Sequence, residues 1–139
     1  MKPYLLDFYP LQGEKFTRIH TFFENLKKGR FTTTQCKNCG EILWQPRLIC
    51  PHCNSGEMKW VELPKEGKLY AFTQLNVGVP MGFEKDLPYC VGVVELENKL
   101  KILTRIDGAS YDDLKIGMAL KLKIFELEDG RVWFRFERK

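Results

Sequence analysis

The stretch CKNCGEILWQPRLICPHC, running from Cys36 to Cys53, decides how the rest of the chain is read. It holds two matched pairs, Cys36-Lys37-Asn38-Cys39 and Cys50-Pro51-His52-Cys53, with ten residues between them. Two thiolates three residues apart on a tight turn can face one cation at about 2.3 Å, and two such turns supply a closed tetrahedral shell. Gly40 follows the first pair, where the chain must turn with its amides toward the sulfurs, and Pro51 stiffens the second. The competing use, two disulfides, belongs to an oxidising compartment. This chain opens Met1-Lys2-Pro3-Tyr4, without the cationic and apolar run of a secretory signal. A redox C-x-x-C would stand alone before a helix rather than occur twice. Cys36, Cys39, Cys50 and Cys53 are therefore expected to hold a structural zinc. A closed four-sulfur shell has no open position for substrate, so its task is to staple about 25 residues that could not bury a core alone.

Iron is the second choice of metal, because Cys-x-x-Cys-Gly with Cys-Pro-x-Cys also resembles rubredoxin knuckles. His52 lies inside the second knuckle, but four thiolates already complete the shell. His20 sits in a helical pattern and reads as a surface or packing residue. Cys90 lies in the apolar run Tyr89-Cys90-Val91-Gly92-Val93-Val94 and reads as a small buried hydrophobe.

Outward from the cysteines, the chain reads as three segments. Residues 1–35 carry an apolar, Pro-containing arm (Pro3-Tyr4-Leu5-Leu6, Phe8-Tyr9-Pro10), then a helical pattern over Glu14–Lys28. Phe16, Ile19, Phe22, Phe23 and Leu26 recur at helical spacing, and Gly29 stops the helix with Lys27 and Lys28 in its last turn. Residues 36–63 are the metal ribbon. Residues 64–139 are β-rich, with runs at Lys68–Val77, Tyr89–Leu96, Leu100–Ile106, Ala119–Glu126 and Val132–Glu137 separated by turn residues. Glu128-Asp129-Gly130-Arg131 signals a hairpin, and Ser110-Tyr111-Asp112-Asp113-Leu114 a short helix or turn between the third and fourth runs. Five strands with that interruption have the layout of an OB barrel, although an SH3-like barrel or a β-meander gives similar counts. The expected fold class is mainly β with an N-terminal helix, a rubredoxin-like zinc ribbon and a five-stranded OB-fold.

Composition narrows the function. Of 139 residues, 44% are hydrophobic and 29% charged, which excludes a disordered or low-complexity chain. The longest uncharged run, Leu69–Phe83, has 15 residues broken by Gly and Pro, too short for a membrane span. No membrane partner and a cytoplasmic location are expected. The net charge of +4 comes from the N-terminal end, and residues 61–139 hold 13 basic and 13 acidic side chains. A neutral barrel disfavours binding to a phosphate backbone, where a concentrated basic face supplies most of the affinity.

One family joins these parts. The text Phe22-Phe23-Glu24-Asn25-Leu26-Lys27-Lys28-Gly29-Arg30 leads into Cys36-x-x-Cys39-Gly40. Pro46-Arg47, Cys50-Pro51-x-Cys53, Trp60, Gly67-x-Leu69-Tyr70-x-Phe72-Thr73 and Ile116-Gly117-Met118 follow in order. Over roughly residues 14–139 the chain resembles the two-domain family of rubredoxin-like zinc ribbon and C-terminal OB-fold, long catalogued as a domain of unknown function and associated with acyl-CoA metabolism. The resemblance implies a non-catalytic accessory protein for a thiolase-like acyl-CoA condensing enzyme, with the four cysteines as metal ligands.

The residues fit such a part, since no Ser-His-Asp constellation is legible. Phe16, Phe22 and Phe23, with Phe8 and Tyr9 of the arm, are the candidate anchors for the partner enzyme; alternatively the stripe packs on this protein's own ribbon or barrel. If acyl-CoA binds, Lys27, Lys28, Arg30 and Arg47 are the candidates for its phosphates, because the basic excess lies there. The alternative function is single-stranded nucleic-acid binding, with Tyr70, Phe72, Trp133, Phe134 and Phe136 as stacking aromatics. A rubredoxin-like electron carrier is a further alternative.

Overall fold

The computed structural model describes residues 9–139, so the arm residues Pro3-Tyr4-Leu5-Leu6 and the candidate anchor Phe8 lie outside the described residues. The chain forms two compact units. One spans Leu11–Pro64; the other is Lys65–Lys139 together with Tyr9 and Pro10.

The first unit holds helix α1 (His20–Lys27) and strands β1 (Thr32–Cys36), β2 (Ile42–Leu43) and β3 (Met58–Glu62), arranged β2-β1-β3. The helix is shorter than its periodicity predicts. Amides of Phe16 and Thr17 both donate to the Gly13 carbonyl, and the Thr17 hydroxyl then accepts from the Ile19 amide at 3.3 Å. That local side-chain bond competes with helix continuation and isolates one turn ahead of α1. Phe16, on that turn, is 67% exposed, while Phe22, Phe23 and Leu26 are buried. At the other end Gly29 takes φ +79°, Gly29 donates to Leu26 and Arg30 to Asn25, which is a Schellman stop.

A run of three threonines, with no apolar period to announce it, forms the centre of this sheet. Thr32, Thr33 and Thr34 are fully buried. Each hydroxyl holds a different neighbour. Thr32 accepts from the Asn25 side chain of α1 at 3.1 Å, Thr33 donates to the Leu43 carbonyl of β2, and Thr34 accepts from the Arg47 amide at 2.8 Å. A buried hydroxyl left unpaired costs about 1–3 kcal/mol, so the run specifies where helix, β2 and the following loop must lie.

The second unit is a closed barrel in the order β4-β5-β6-β8-β7, built from β4 (Glu66–Leu75), β5 (Tyr89–Leu96), β6 (Lys101–Asp107), β7 (Ala119–Glu126) and β8 (Val132–Arg138). This is the expected OB layout, including the short 3-10 turn Tyr111–Asp113, capped by Ser110, between β6 and β7. Alternation fills the interior: Cys90, Gly92, Val94 and Leu96 of β5, Ile102, Thr104 and Ile106 of β6, Val132, Phe134 and Phe136 of β8. Phe134 and Phe136 are thus core side chains, removed from the set of candidate stacking aromatics. Burial pushes the Cys90 thiol up, as for an inert core cysteine.

Closure is thinnest between β6 and β8, which pair in parallel only at Ile106–Phe136 and Asp107–Glu137. Asp107 secures that seam with ion pairs to Arg135 of β8 at 3.1 Å, Lys123 of β7 at 3.6 Å and Arg105 of its own strand at 4.0 Å. Gly92 is required by a close approach: a Cβ there would lie 2.8 Å from the Ala71 carbonyl and 3.0 Å from Leu69. Gly92→Ala should therefore destabilise the barrel by about 1–3 kcal/mol, the usual scale of overpacking. Gly56→Ala, with nothing within 4 Å, should leave it unchanged. Urea unfolding followed by tryptophan fluorescence checks this; equal midpoints for the two variants would contradict the packing argument.

Candidate metal centre

The two Cys-x-x-Cys turns are built alike. Gly40 donates to the Cys36 carbonyl at 2.9 Å and Asn54 to that of Cys50 at 2.8 Å. Cys36 and Cys50 each donate in turn to the carbonyl five residues on, Glu41 and Ser55, both at 2.9 Å. Each turn needs a left-handed residue just after its second cysteine. Gly40 (φ +80°) supplies one and Asn54 (φ +62°) the other. Asparagine is among the few non-glycine residues that reach this region readily, and its place directly after Cys53 is the only trace of that role in the sequence. β1 feeds the first knuckle, the second leads into β3, and a bond from the Lys37 amide to the Glu57 carbonyl at 2.9 Å ties them together.

The sulfurs of Cys36, Cys39, Cys50 and Cys53 all lie within 4.8 Å of one another. Cys36 and Cys53 are 3.5 Å apart, Cys39 and Cys50 3.6 Å. A tetrahedron with metal–sulfur bonds of about 2.3 Å has edges of about 3.8 Å, so the cluster fits one four-coordinate soft cation. By themselves the thiols share protons unevenly. A backbone hydrogen bond from Glu41 pulls Cys39 down, but hydrogen bonds shared with Cys50, Cys36 and Cys53, together with burial, carry it up to about 12. The Asn38 side chain and the Ser55 backbone draw Cys53 down to about 6. A cation that stabilises all four thiolates removes the conflict. His52 stands outside the group, 3.6 Å from the Glu41 carboxylate on the surface.

The other candidates divide. Phe22 and Phe23 are buried against each other at 5.2 Å and Phe22 packs against Trp44 at 5.9 Å, so they belong to the interior of their own unit. Of Phe16, Phe22 and Phe23, only Phe16 is exposed. Lys27, Lys28 and Arg30 are exposed at the end of α1. Arg30 is engaged, its Nε 2.5 Å from Glu62 of β3 and its Nη1 3.5 Å from the Asn25 carbonyl oxygen of the side chain. Arg47 is exposed in the loop after β2, fixed through its amide. Among the described residues no hydrogen bond or ion pair joins Arg47 to the other three. Of the candidate stacking aromatics that remain, Tyr70 is exposed but carries Lys101 over its ring at 4.4 Å. Trp133 is stacked on Phe134 at 5.1 Å, and Phe72 packs edge-on against Tyr111 at 5.5 Å.

Sequence reasoning passed over the outer face of β4, β5 and β6. Ala71, Val93 and Leu103 lie in one row across it, next to the row Thr73, Val91 and Arg105. Leu103 is 71% exposed. Period-two alternation marks Leu103 as the partner face of buried Ile102 and Thr104, which is the signal that could have found it.

The metal is expected to hold the first unit and leave the barrel alone. Cys50→Ser should lower bound zinc from about one ion per chain to a small fraction. Hydrogen exchange should then speed up across residues 11–64 and stay slow in β5 and β8. A variant that keeps its metal and its protection would refute the assignment.

Known proteins share both parts. Residues 23–59 match the ChsH2 rubredoxin-like zinc ribbon domain, and residues 60–125 match the ChsH2 C-terminal OB-fold domain. The chain is 35% identical over 98 residues to a DUF35 domain-containing scaffold protein of Methanocaldococcus jannaschii, covering 69% of each chain. It is 33% identical over 75 residues to the benzoylsuccinyl-CoA thiolase subunit BbsA of Thauera aromatica, covering 54% of this chain and 50% of that one. The solved structure titled Ltp2-ChsH2(DUF35) aldolase aligns with TM-score 0.76 and 27% identity, covering 91% of this chain and 98% of that one. The two matched domains follow one another in the order the cysteine cluster and the barrel take here, and the chain belongs to the DUF35 family of ChsH2-like zinc-ribbon and OB-fold proteins.

Proposed function

We propose that this protein is a non-catalytic scaffold subunit that docks on a thiolase-like acyl-CoA enzyme. The observation that carries the reading is the pairing of a closed four-thiolate cluster with relatives named as a scaffold protein and a thiolase subunit. Among the described residues each histidine has a carboxylate partner, His20 with Glu24 and His52 with Glu41. Zinc is the metal of this proposal, since a d10 ion in a closed sulfur shell serves structure alone; iron in the same knuckles is its alternative. No helix is long and apolar enough to cross a membrane. A cytoplasmic location belongs to the proposal because four free thiolates need a reducing compartment.

The barrel's surface favours a protein partner over nucleic acid. OB-folds that bind oligonucleotides use the outer face of the second and third strands. Here that face carries Val91, Val93 and Leu103, with Arg105 drawn over the Tyr89 ring at 4.0 Å and bound to Asp86 at 3.1 Å. An apolar centre with a charged rim suits a protein interface. Leu103 and Phe16 are the proposed anchors, one on each unit. Lys27 and Lys28, which carry no ion pair among the described residues, are the proposed contacts for CoA phosphates, and the exposed Arg30 and Arg47 are further candidates.

A tagged chain expressed in its own host should co-purify with a thiolase-like enzyme at near-equal stoichiometry. Leu103→Asp or Phe16→Asp should weaken the complex at least about tenfold, as expected for loss of an interface anchor, without moving the melting temperature. An eluate containing nucleic acid that leaves at high salt, and no such enzyme, would overturn the proposal. Calorimetry with acetyl-CoA separates the ligand question: no heat, with or without the enzyme, would remove the phosphate role from Lys27 and Lys28.

A further inference from the structure

Tyr9 is held by the barrel in a way that a surface tyrosine is not. Its ring meets Phe83, Phe125 and Trp133 edge-on, at centroid distances of 5.2, 6.1 and 6.4 Å. Its hydroxyl accepts from Nη2 of Arg135 at 3.1 Å, and its backbone carbonyl accepts from Nη1 of Arg131 at 2.8 Å. Both arginines are aimed by carboxylates. Asp129 fixes Arg131 through Nε at 2.8 Å, and Asp107 fixes Arg135 at 3.1 Å. Arg135 also lies over the Phe125 ring at 4.5 Å, and Arg131 is 8% exposed.

These contacts divide as a peptide-recognition site divides. An aromatic cage takes the side chain, one oriented guanidinium reads the hydroxyl, and another grips the main chain. Edge-on aromatic contacts and charge-assisted hydrogen bonds are both directional, so a tyrosine satisfies the cage and an alanine does not. Among the described residues the cage comes from the barrel: Phe83 of the β4–β5 connection, Phe125 of β7, and Arg131, Trp133 and Arg135 at and within β8. A recess of about 360 Å³ opens beside Tyr9, lined by Phe83, Phe125, Arg131 and Arg135.

We propose that the barrel carries a recognition socket for a tyrosine in an extended peptide segment, and that Tyr9 is its ligand supplied by the same chain. Residues 9–12 belong to no helix or strand, so the ligand is a loop segment. A ligand carried by the same chain competes with any free peptide, so the intact protein takes up peptide less readily than one without the ring. Removing the tethered ring opens the same socket to a peptide in trans.

The test uses the full chain with Tyr9→Ala and a fluorescein-labelled synthetic peptide of sequence DFYPLQG, residues 7–13 of this protein. The variant should bind the peptide saturably by fluorescence polarisation, and the unchanged protein should need at least about tenfold more peptide. The peptide with alanine in place of tyrosine should not bind, and Arg131→Lys in the Tyr9→Ala background should weaken binding. A folded Tyr9→Ala chain that binds neither peptide, or both alike, overturns the proposal. Should Tyr9→Ala unfold the barrel, return of its near-ultraviolet circular dichroism on adding the tyrosine peptide supports the socket, and failure to return refutes it.

Discussion

Four sulfurs within 4.8 Å of one another are a liability until a cation sits among them. Thiols in such a cluster compete for protons, and thiolates repel. The first unit accepts this because it has little else to hold it: an eight-residue helix, a two-residue strand and a few buried aromatics. The unit runs only from Leu11 to Pro64, a size at which a hydrophobic core by itself is marginal. Metal binding energy is then folding energy. The twin turns that follow Cys36 and Cys50, each closed by a left-handed residue, exist to present sulfur at the right separation.

The parts of the molecule were legible in the sequence to different degrees, for reasons that can be named. The cysteine ligands were fully legible because metal geometry dictates their spacing. Strands β5, β7 and β8 were legible to within a residue, since β-branched runs and Gly or Asp turns bound them. The start of the helix was not. Phe16 keeps the helical period by coincidence, while the Gly13 carbonyl and the Thr17 hydroxyl end the turn it sits on. The threonines of β1 gave no signal, because a buried hydroxyl looks in sequence like an exposed one. Phe22 and Phe23 form a stripe that serves an internal core and a docking surface equally well until the fold shows which side covers it. Leu103 was the opposite case, an outward residue on a strand whose neighbours point in.

In the barrel, electrostatics are spent at the weakest geometric point. Two register pairs join β6 to β8, and there Asp107 gathers three cations. Asp107, Arg105 and Arg135 are partly shielded from water, where an ion pair is worth more than on an open surface, while Lys123 is exposed. Asp107 also aims Arg135 at Tyr9, so one carboxylate serves both the seam and the socket. The outer face of β4, β5 and β6 is free of that network at its centre, which leaves an apolar surface on a rigid support. A scaffold needs such an arrangement: one surface available to a partner and a frame that does not deform when it is covered.

The hydrogen bonds to Tyr9 span 122 and 126 residues of chain. On a ribosome adding about 5–20 residues per second, Tyr9 emerges roughly 6–25 s before the arginines that receive it. The cysteine pairs appear in between, so the metal-bearing unit can be complete while the barrel is still missing its last strand. Fastening of Tyr9 consequently waits until β8 has been made and placed.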